Sequence, residues 1–382
     1  MAAADEGAQG PAAAVDAAGD AAGVAAGDAA ASDGAATLGA VDAPPLEQAL
    51  RVSKAVVPRT ASRRRDRMDM GYLLGAPFGA LQHGYVGTPP AVSYRCRVTY
   101  PTDAATVRRL LLHEATVHAL PGRRLTDLGD AILLLDPTDP EPFWNRLAGV
   151  RWPDDADAFD QRLTELAVLF ATMARQPHVW VSPPHDTPND LAQRLASNGF
   201  EDAGPGLLLV LADGTSARAA LAGEHGAQVV VERFAGSDGS AGSEGSTPAV
   251  DGAADAIVDV LIDAFDVAPE LRAGIVAQTF ASLADPRFTY YLARVGDVPA
   301  SVARGATFEG ATYLSSIGTA SWAQGRGLGR LVTAAAIVDG LDAGSRWVHL
   351  GVFADNDPAI ALYRRLGFQM SGAPGPDMIL VG

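Results

Sequence analysis

Gln324-Gly325-Arg326-Gly327-Leu328-Gly329 stands between an apolar run, Thr312 to Trp322, and a helical pattern through Leu331, Ala335 and Val338. The order reads as strand, glycine loop, helix N-terminus. Such a junction points free backbone N–H groups and the positive end of a helix dipole into one small space. Gly325, Gly327 and Gly329 carry no Cβ, so a phosphate can approach the main chain closely, and Arg326 and Arg330 add positive charge at the mouth. A Walker loop is excluded, because it needs Gly-Lys-Ser/Thr and Lys54 is the only lysine in the chain. A Rossmann fingerprint would need an acidic residue about twenty positions on and more strands than the remaining chain can supply. The same six residues also suit a tight turn that holds nothing, so the following stretch decides.

That stretch is a strand, Trp347 to Phe353, followed by Asn356-Asp357-Pro358-Ala359-Ile360-Ala361-Leu362-Tyr363-Arg364-Arg365-Leu366-Gly367-Phe368. Asp357 before Pro358 reads as an N-cap with a first-turn proline, and Gly367 as a helix stop. Together the two segments resemble the GNAT family of acyl-CoA N-acyltransferases. The first matches its Q/R-x-x-G-x-G/A pyrophosphate loop, the second its N-x-x-A-x-x-L-Y-x-x-x-G-F helix. The resemblance implies an α/β (α+β) fold with a mixed sheet whose two central strands splay at a bulge, and acetyl-CoA as co-substrate with its pantetheine arm in the gap. It places Gln324 to Arg330 on the diphosphate, and the main chain of Ile317, Gly318 and Thr319 on the arm. Asn356 is expected on the arm or at the strand end. Tyr363 takes the position of the general acid, since a phenol near pKa 10 holds its proton at neutral pH yet can donate it to a thiolate. Glu309, at a hairpin tip, and His349, on the strand beside the cleft, are candidates for the general base. No metal is implied.

With 382 residues, two domains are the natural expectation. Residues 1–45 are Ala, Gly and Asp with almost no large apolar side chain, a composition that reads as a disordered tail. A single cysteine, Cys96, excludes disulfides within the chain and points to a reducing cytoplasm. The net charge of −16 argues against nucleic acid as partner. The arginines between Arg59 and Arg67 lack interleaved aromatics and read as a solvated arm. No run is long and apolar enough to suggest a membrane span.

Residues 46–225 read as a first folded domain and 226–382 as a second, with a flexible Gly/Ser-rich loop at 237–247. Helices are expected over Thr106–His118, Phe159–Met173 and Asp190–Ser197 in the first domain, and over Ala253–Phe265 and Pro269–Leu283 in the second. In the GNAT family such a helix pair covers the acceptor site. The series strand, Asn189, helix, Gly199-Phe200, Gly204-Pro205, apolar strand parallels Trp347 to Val381. The expected architecture is therefore two tandem acyl-CoA N-acyltransferase-like domains, the first a degenerate copy. Leu195 stands where the second has Tyr363. The loop Arg151 to Asp157 has no glycine and holds Asp154, Asp155 and Asp157, which would repel a diphosphate. The expected activity is acetyl transfer to a primary amine of a small molecule or peptide within a ternary complex. The alternatives are a non-catalytic acyl-CoA sensor and an interaction protein.

Overall fold

The computed structural model describes residues 103–381 apart from 120–121, 184, 224, 227, 238–247 and 269–271. The N-terminal tail, the arginine cluster, Cys96 and all but Ser237 of the Gly/Ser-rich loop lie outside the described residues.

Two sheets organise the chain. The first has six strands in the order β1 (Arg124–Asp127), β2 (Ile132–Leu135), β3 (Arg146–Ala148), β4 (His178–Trp180), β13 (Asp377–Leu380) and β5 (Phe200–Asp202). The second has seven, in the order β7 (Val229–Ala235), β8 (Phe288–Val295), β9 (Val298–Phe308), β10 (Ala311–Thr319), β11 (Trp347–Phe353), β6 (Gly206–Leu211) and β12 (Gln369–Met370). Beyond the edge strand β7, the two sheets share one pattern. A meander leads into one parallel pair, β3–β4 or β10–β11, and two antiparallel neighbours follow.

In each sheet the strand after the parallel pair comes from the other half. β6 lies along β11 from Leu211↔Val348 to Gly206↔Phe353, and β13 lies between β4 and β5. Each sheet thus takes one strand from the chain segment that builds most of the other. Leu207, Leu209 and Leu211 are buried in the core of the second half, each contributing on the order of 2 kcal/mol. On the other side, Asp377 of β13 pairs with the buried imidazole of His178 on β4.

Eight helices, among the described residues, cover the sheets: α1 (Ala104–His118), α2 (Ala156–Thr172), α3 (Leu191–Ser197), α4 (Thr215–Ala222), α5 (Pro248–Ala264), α6 (Arg272–Leu283), α7 (Leu328–Asp342) and α8 (Asp357–Leu366). Side-chain caps start three of them. Asp103 accepts from Thr106 N at 2.7 Å, Asp155 from Ala158 N at 3.0 Å and Asn356 from Ala359 N at 3.1 Å. The cap of α8 is therefore Asn356, and Asp357 is its first helical residue. Gly367 closes that helix in the left-handed conformation. α4, α7 and α8 pack on one face of the second sheet, around Tyr291, Leu314, Val332, Ile337, Leu350 and Tyr363. α5 packs on the other face, among Tyr290, Leu292 and Val302.

Candidate functional site: a splayed strand pair and an open helix N-terminus

β10 and β11 pair in parallel through Ala311↔Trp347, Thr312↔Val348 and Tyr313↔His349, and among the described residues no pair follows. On its other edge β10 slips register against β9 between Ser315 and Gly318. Ser316 sits there at φ 51°, a left-handed conformation that costs a non-glycine residue about 1–2 kcal/mol. This bulge turns the end of β10 away from β11 and opens a wedge between them. Gly318 is required at the bend, because a Cβ there would stand 2.9 Å from Ala264 Cβ on α5. The apolar run read as one strand to Trp322 thus ends at Thr319, and Ser321–Ala323 form a 3-10 turn. The bulge accounts for the difference, since its strained residue is a serine and gives no glycine signal.

The chain leaving β10 enters the glycine loop. Asp263 of α5 accepts from the Ser321 backbone N–H and hydroxyl and so anchors the loop's start. Gly327 (φ 77°) is the N-cap of α7 and has no side chain to cap it, so the first N–H groups of α7 point outward. A Cβ built on Gly325 or Gly327 would meet nothing within 4 Å, which leaves open space in front of the helix N-terminus. Gln324, Gly325, Arg326, Gly327 and Arg330 are exposed, and Leu328 is buried. Gly329 lies where a Cβ would press on Thr319 Oγ1 at 3.1 Å. The Arg326 guanidinium lies 5.6 Å from the centre of the exposed Trp322 ring. An uncapped helix N-terminus, an open cradle and nearby arginines suit a diphosphate.

The corresponding positions of the first half are filled. Asp155 occupies the N-terminus of α2 with its own carboxylate. Beyond β3 the chain is paired in parallel by Thr187, whose N–H donates to Val150 O at 3.0 Å and whose carbonyl accepts from Trp152 N at 3.0 Å. A main-chain segment thus takes the place that remains a wedge in the second half.

Tyr363, on α8, is 1% exposed and packs edge-on to Phe368 at 5.8 Å between ring centres. Burial raises its phenol well above the usual tyrosine range, which keeps it protonated. Asn356 is buried and its side chain is engaged as the α8 cap. Ile317, Gly318 and Thr319 form the end of β10 past the slip. Glu309 lies in the exposed β9–β10 turn, at the end of β10 opposite the glycine loop. His349 is fully buried beside Tyr313 with Nε2 3.0 Å from Nδ1 of His113 on α1; burial pushes its imidazole well below the usual range.

One cluster had no counterpart in the sequence reading. On the sheet face opposite α7, α1 brings His113, Glu114 and His118 against β9–β11. His118 Nε2 is 3.3 Å from Tyr313 Oη and 3.6 Å from Glu114 Oε1. Glu114 also pairs with the buried Arg146 of β3 at 3.2 Å. Burial lowers His113 and His118 to about 4, so both are neutral at pH 7. The signal was available: Glu114 and His118 recur at i and i+4 on the apolar side of α1.

Residues 255–368 match the model of the acetyltransferase (GNAT) family. Mycothiol acetyltransferase of Nocardiopsis dassonvillei is 53% identical over 47 residues, 12% of this chain and 14% of that protein. The enzyme of the same name from Pseudarthrobacter chlorophenolicus is 52% identical over 52 residues, 14% of this chain and 16% of that protein. The matched segments thus span about a seventh of those relatives. A GCN5-related N-acetyltransferase from Kribbella flavida superposes with a TM-score of 0.52 at 22% identity, covering 74% of this chain and 96% of that one, a likeness of fold. Among the described residues, no helix is long and apolar enough to cross a membrane. The wedge, the bulge and the glycine loop all lie within residues 255–368, the segment similar to the acetyltransferase (GNAT) family.

Proposed function

We propose that this chain transfers an acetyl group from acetyl-CoA to a primary amine of a small-molecule or peptide acceptor, both substrates being bound together. The observation that carries the reading is the coincidence of the β10–β11 wedge with the uncapped N-terminus of α7 at Gly327. Acetyl-CoA supplies an activated thioester: the amine nitrogen bonds to its carbonyl carbon, the C–S bond breaks, and CoA leaves as a thiolate. The N–H groups at the start of α7, with Arg326 and Arg330, hold the diphosphate. The main chain of Ile317 to Thr319 pairs with the pantetheine arm and orients the carbonyl. Tyr363, kept protonated by burial, gives its proton to the leaving sulfur. The amine's proton goes to a base, for which His349, in the last parallel pair where the wedge begins, is better placed than the exposed Glu309.

The first half acts as scaffold and as one wall of the acceptor cleft. Asp155 at the α2 terminus and Thr187 paired beyond β3 support reading it as a degenerate copy that holds no acyl-CoA. A CoA-release assay over a panel of primary amines tests the reading. Acetyl-CoA binding without release of CoA from any amine would favour the sensor instead.

A further inference from the structure

The face of the second sheet turned towards the first half carries Tyr290 on β8, Arg304 on β9, Tyr313 and Ser315 on β10, and His349 on β11. The registers Arg304↔Tyr290, Arg304↔Ser315 and Tyr313↔His349 set them side by side. Two nearby guanidiniums have carboxylate partners: Arg146 pairs with Glu114 and Arg123 with Asp136.

Arg304 does not. It is 1% exposed, yet among the described residues no carboxylate lies within ion-pairing distance of it. Its Nε donates to Ser315 Oγ at 2.9 Å and its Nη1 to Ser282 Oγ of α6 at 2.9 Å. The guanidinium lies 5.2 Å from the centre of the Phe288 ring. Nη2 is buried with no hydrogen-bond partner. A guanidinium removed from water without a counter-charge is strongly destabilising, and five donors with only two engaged is the less stable state of such a group. Its place is specific. Ser315, which holds Nε, is where β10 breaks register with β9, two residues beyond the last parallel pair. A second orphan faces the same region: His118, 0% exposed, keeps Nδ1 without a partner while Nε2 faces Tyr313. Phe143, Trp144 and Trp180 of the first half pack with Tyr290 and Val302 over this face and close it.

We infer that Arg304 is the acceptor-binding residue for a carboxylate, so that the amine substrate is a small molecule carrying a free carboxylate group. This rests on the acetyl-transfer reading and narrows its acceptor class. The two serines hold the guanidinium so that its Nη2 edge faces one small planar anion, as a carboxylate pairs with arginine.

The test uses the full chain and a matched pair of probes, N-acetylglycine and its amide, N-acetylglycinamide, which differ in the carboxylate charge. Their binding is read from the shift of the thermal unfolding midpoint at low salt. Wild type is expected to bind the acid at least about tenfold more tightly than the amide, the usual weight of a hydrogen bond to a charged group. Arg304→Gln keeps two donors and loses the charge; it is expected to lose that preference while its ligand-free midpoint stays level or rises. Equal binding of acid and amide by wild type, no binding of the acid, or an unchanged preference in Arg304→Gln would overturn the inference. So would a lowered ligand-free midpoint in Arg304→Gln with the preference intact, the mark of a purely structural arginine. Acetyl-CoA is titrated in parallel. If it binds while the acid fails, the role of Arg304 falls and acetyl transfer stands; if it does not bind, both fall.

Discussion

Tyr313 and His349 form the last parallel pair between β10 and β11, and two residues later Ser315 marks the slip of β10 against β9. The wedge is therefore fixed from both edges of one strand. Ser316, at φ 51°, holds the strain at its root. Replacing Ser316 by glycine is expected to raise stability by about 1 kcal/mol, and by valine to lower it by more; thermal unfolding of the two variants checks the order. Equal midpoints would mean that the bulge stores no strain.

Tyr363→Phe tests the proton donor. The phenol is buried and its proton is firmly held. CoA release should fall by about 100-fold, the lower range for loss of a general acid, while acetyl-CoA affinity and the unfolding midpoint change little. Equal turnover in both proteins would remove Tyr363 from the chemistry.

Exchange of β6 and β13 makes each half incomplete. Residues 226–382 alone lack the strand that covers β11, and residues 46–225 lack the one between β4 and β5. Neither fragment is expected to give a cooperative unfolding transition alone, whereas the two expressed together should associate. A cooperatively folded 226–382 fragment would show that β6 is dispensable.

Buried imidazoles make the seam between the halves acid-sensitive. His113 and His118 fall from the ordinary value of 6.5 to about 4 in the folded chain, and burial also pushes His349 well below the ordinary value. The unfolded chain thus binds more protons between pH 6.5 and 4. Their contribution is fully present above pH 6.5 and is lost as pH falls towards 4, with a total of a few kcal/mol. The unfolding midpoint should fall over that range, and the three imidazoles should keep neutral NMR shifts at pH 5.5. Protonated shifts at pH 5.5 would contradict the burial of these rings.

Much of this could be read from sequence, for identifiable reasons. The glycine loop and the Asn356–Phe368 helix are local motifs, in which cap, first-turn proline and stop glycine lie within one segment. Strand exchange was not legible, because Gly206–Leu211 and Asp377–Leu380 are short, largely apolar and carry no period that names a neighbour. β1 and β3, of four and three residues, are too short for any alternation to stand out. Arg304 sits within an apolar strand; only the register that sets it against Ser315 shows a buried guanidinium without a carboxylate partner.

Asp155 and Gly327 hold the same place in their halves, one helix N-terminus closed by a carboxylate and the other open. Asp155→Ala should cost about 1 kcal/mol of stability and leave acetyl-CoA affinity unchanged. A fall in that affinity would place part of the cofactor site in the first half.

Calorimetric titration of acetyl-CoA into wild type and Gly327→Val decides whether the open N-terminus of α7 holds the diphosphate. Valine at φ 77° fills the space before α7 and opposes the left-handed cap. One molecule of acetyl-CoA should bind per wild-type chain, and affinity should drop at least about tenfold in the variant, matching the loss of one or more charge-assisted hydrogen bonds. Undiminished affinity in a folded variant would place the ligand elsewhere.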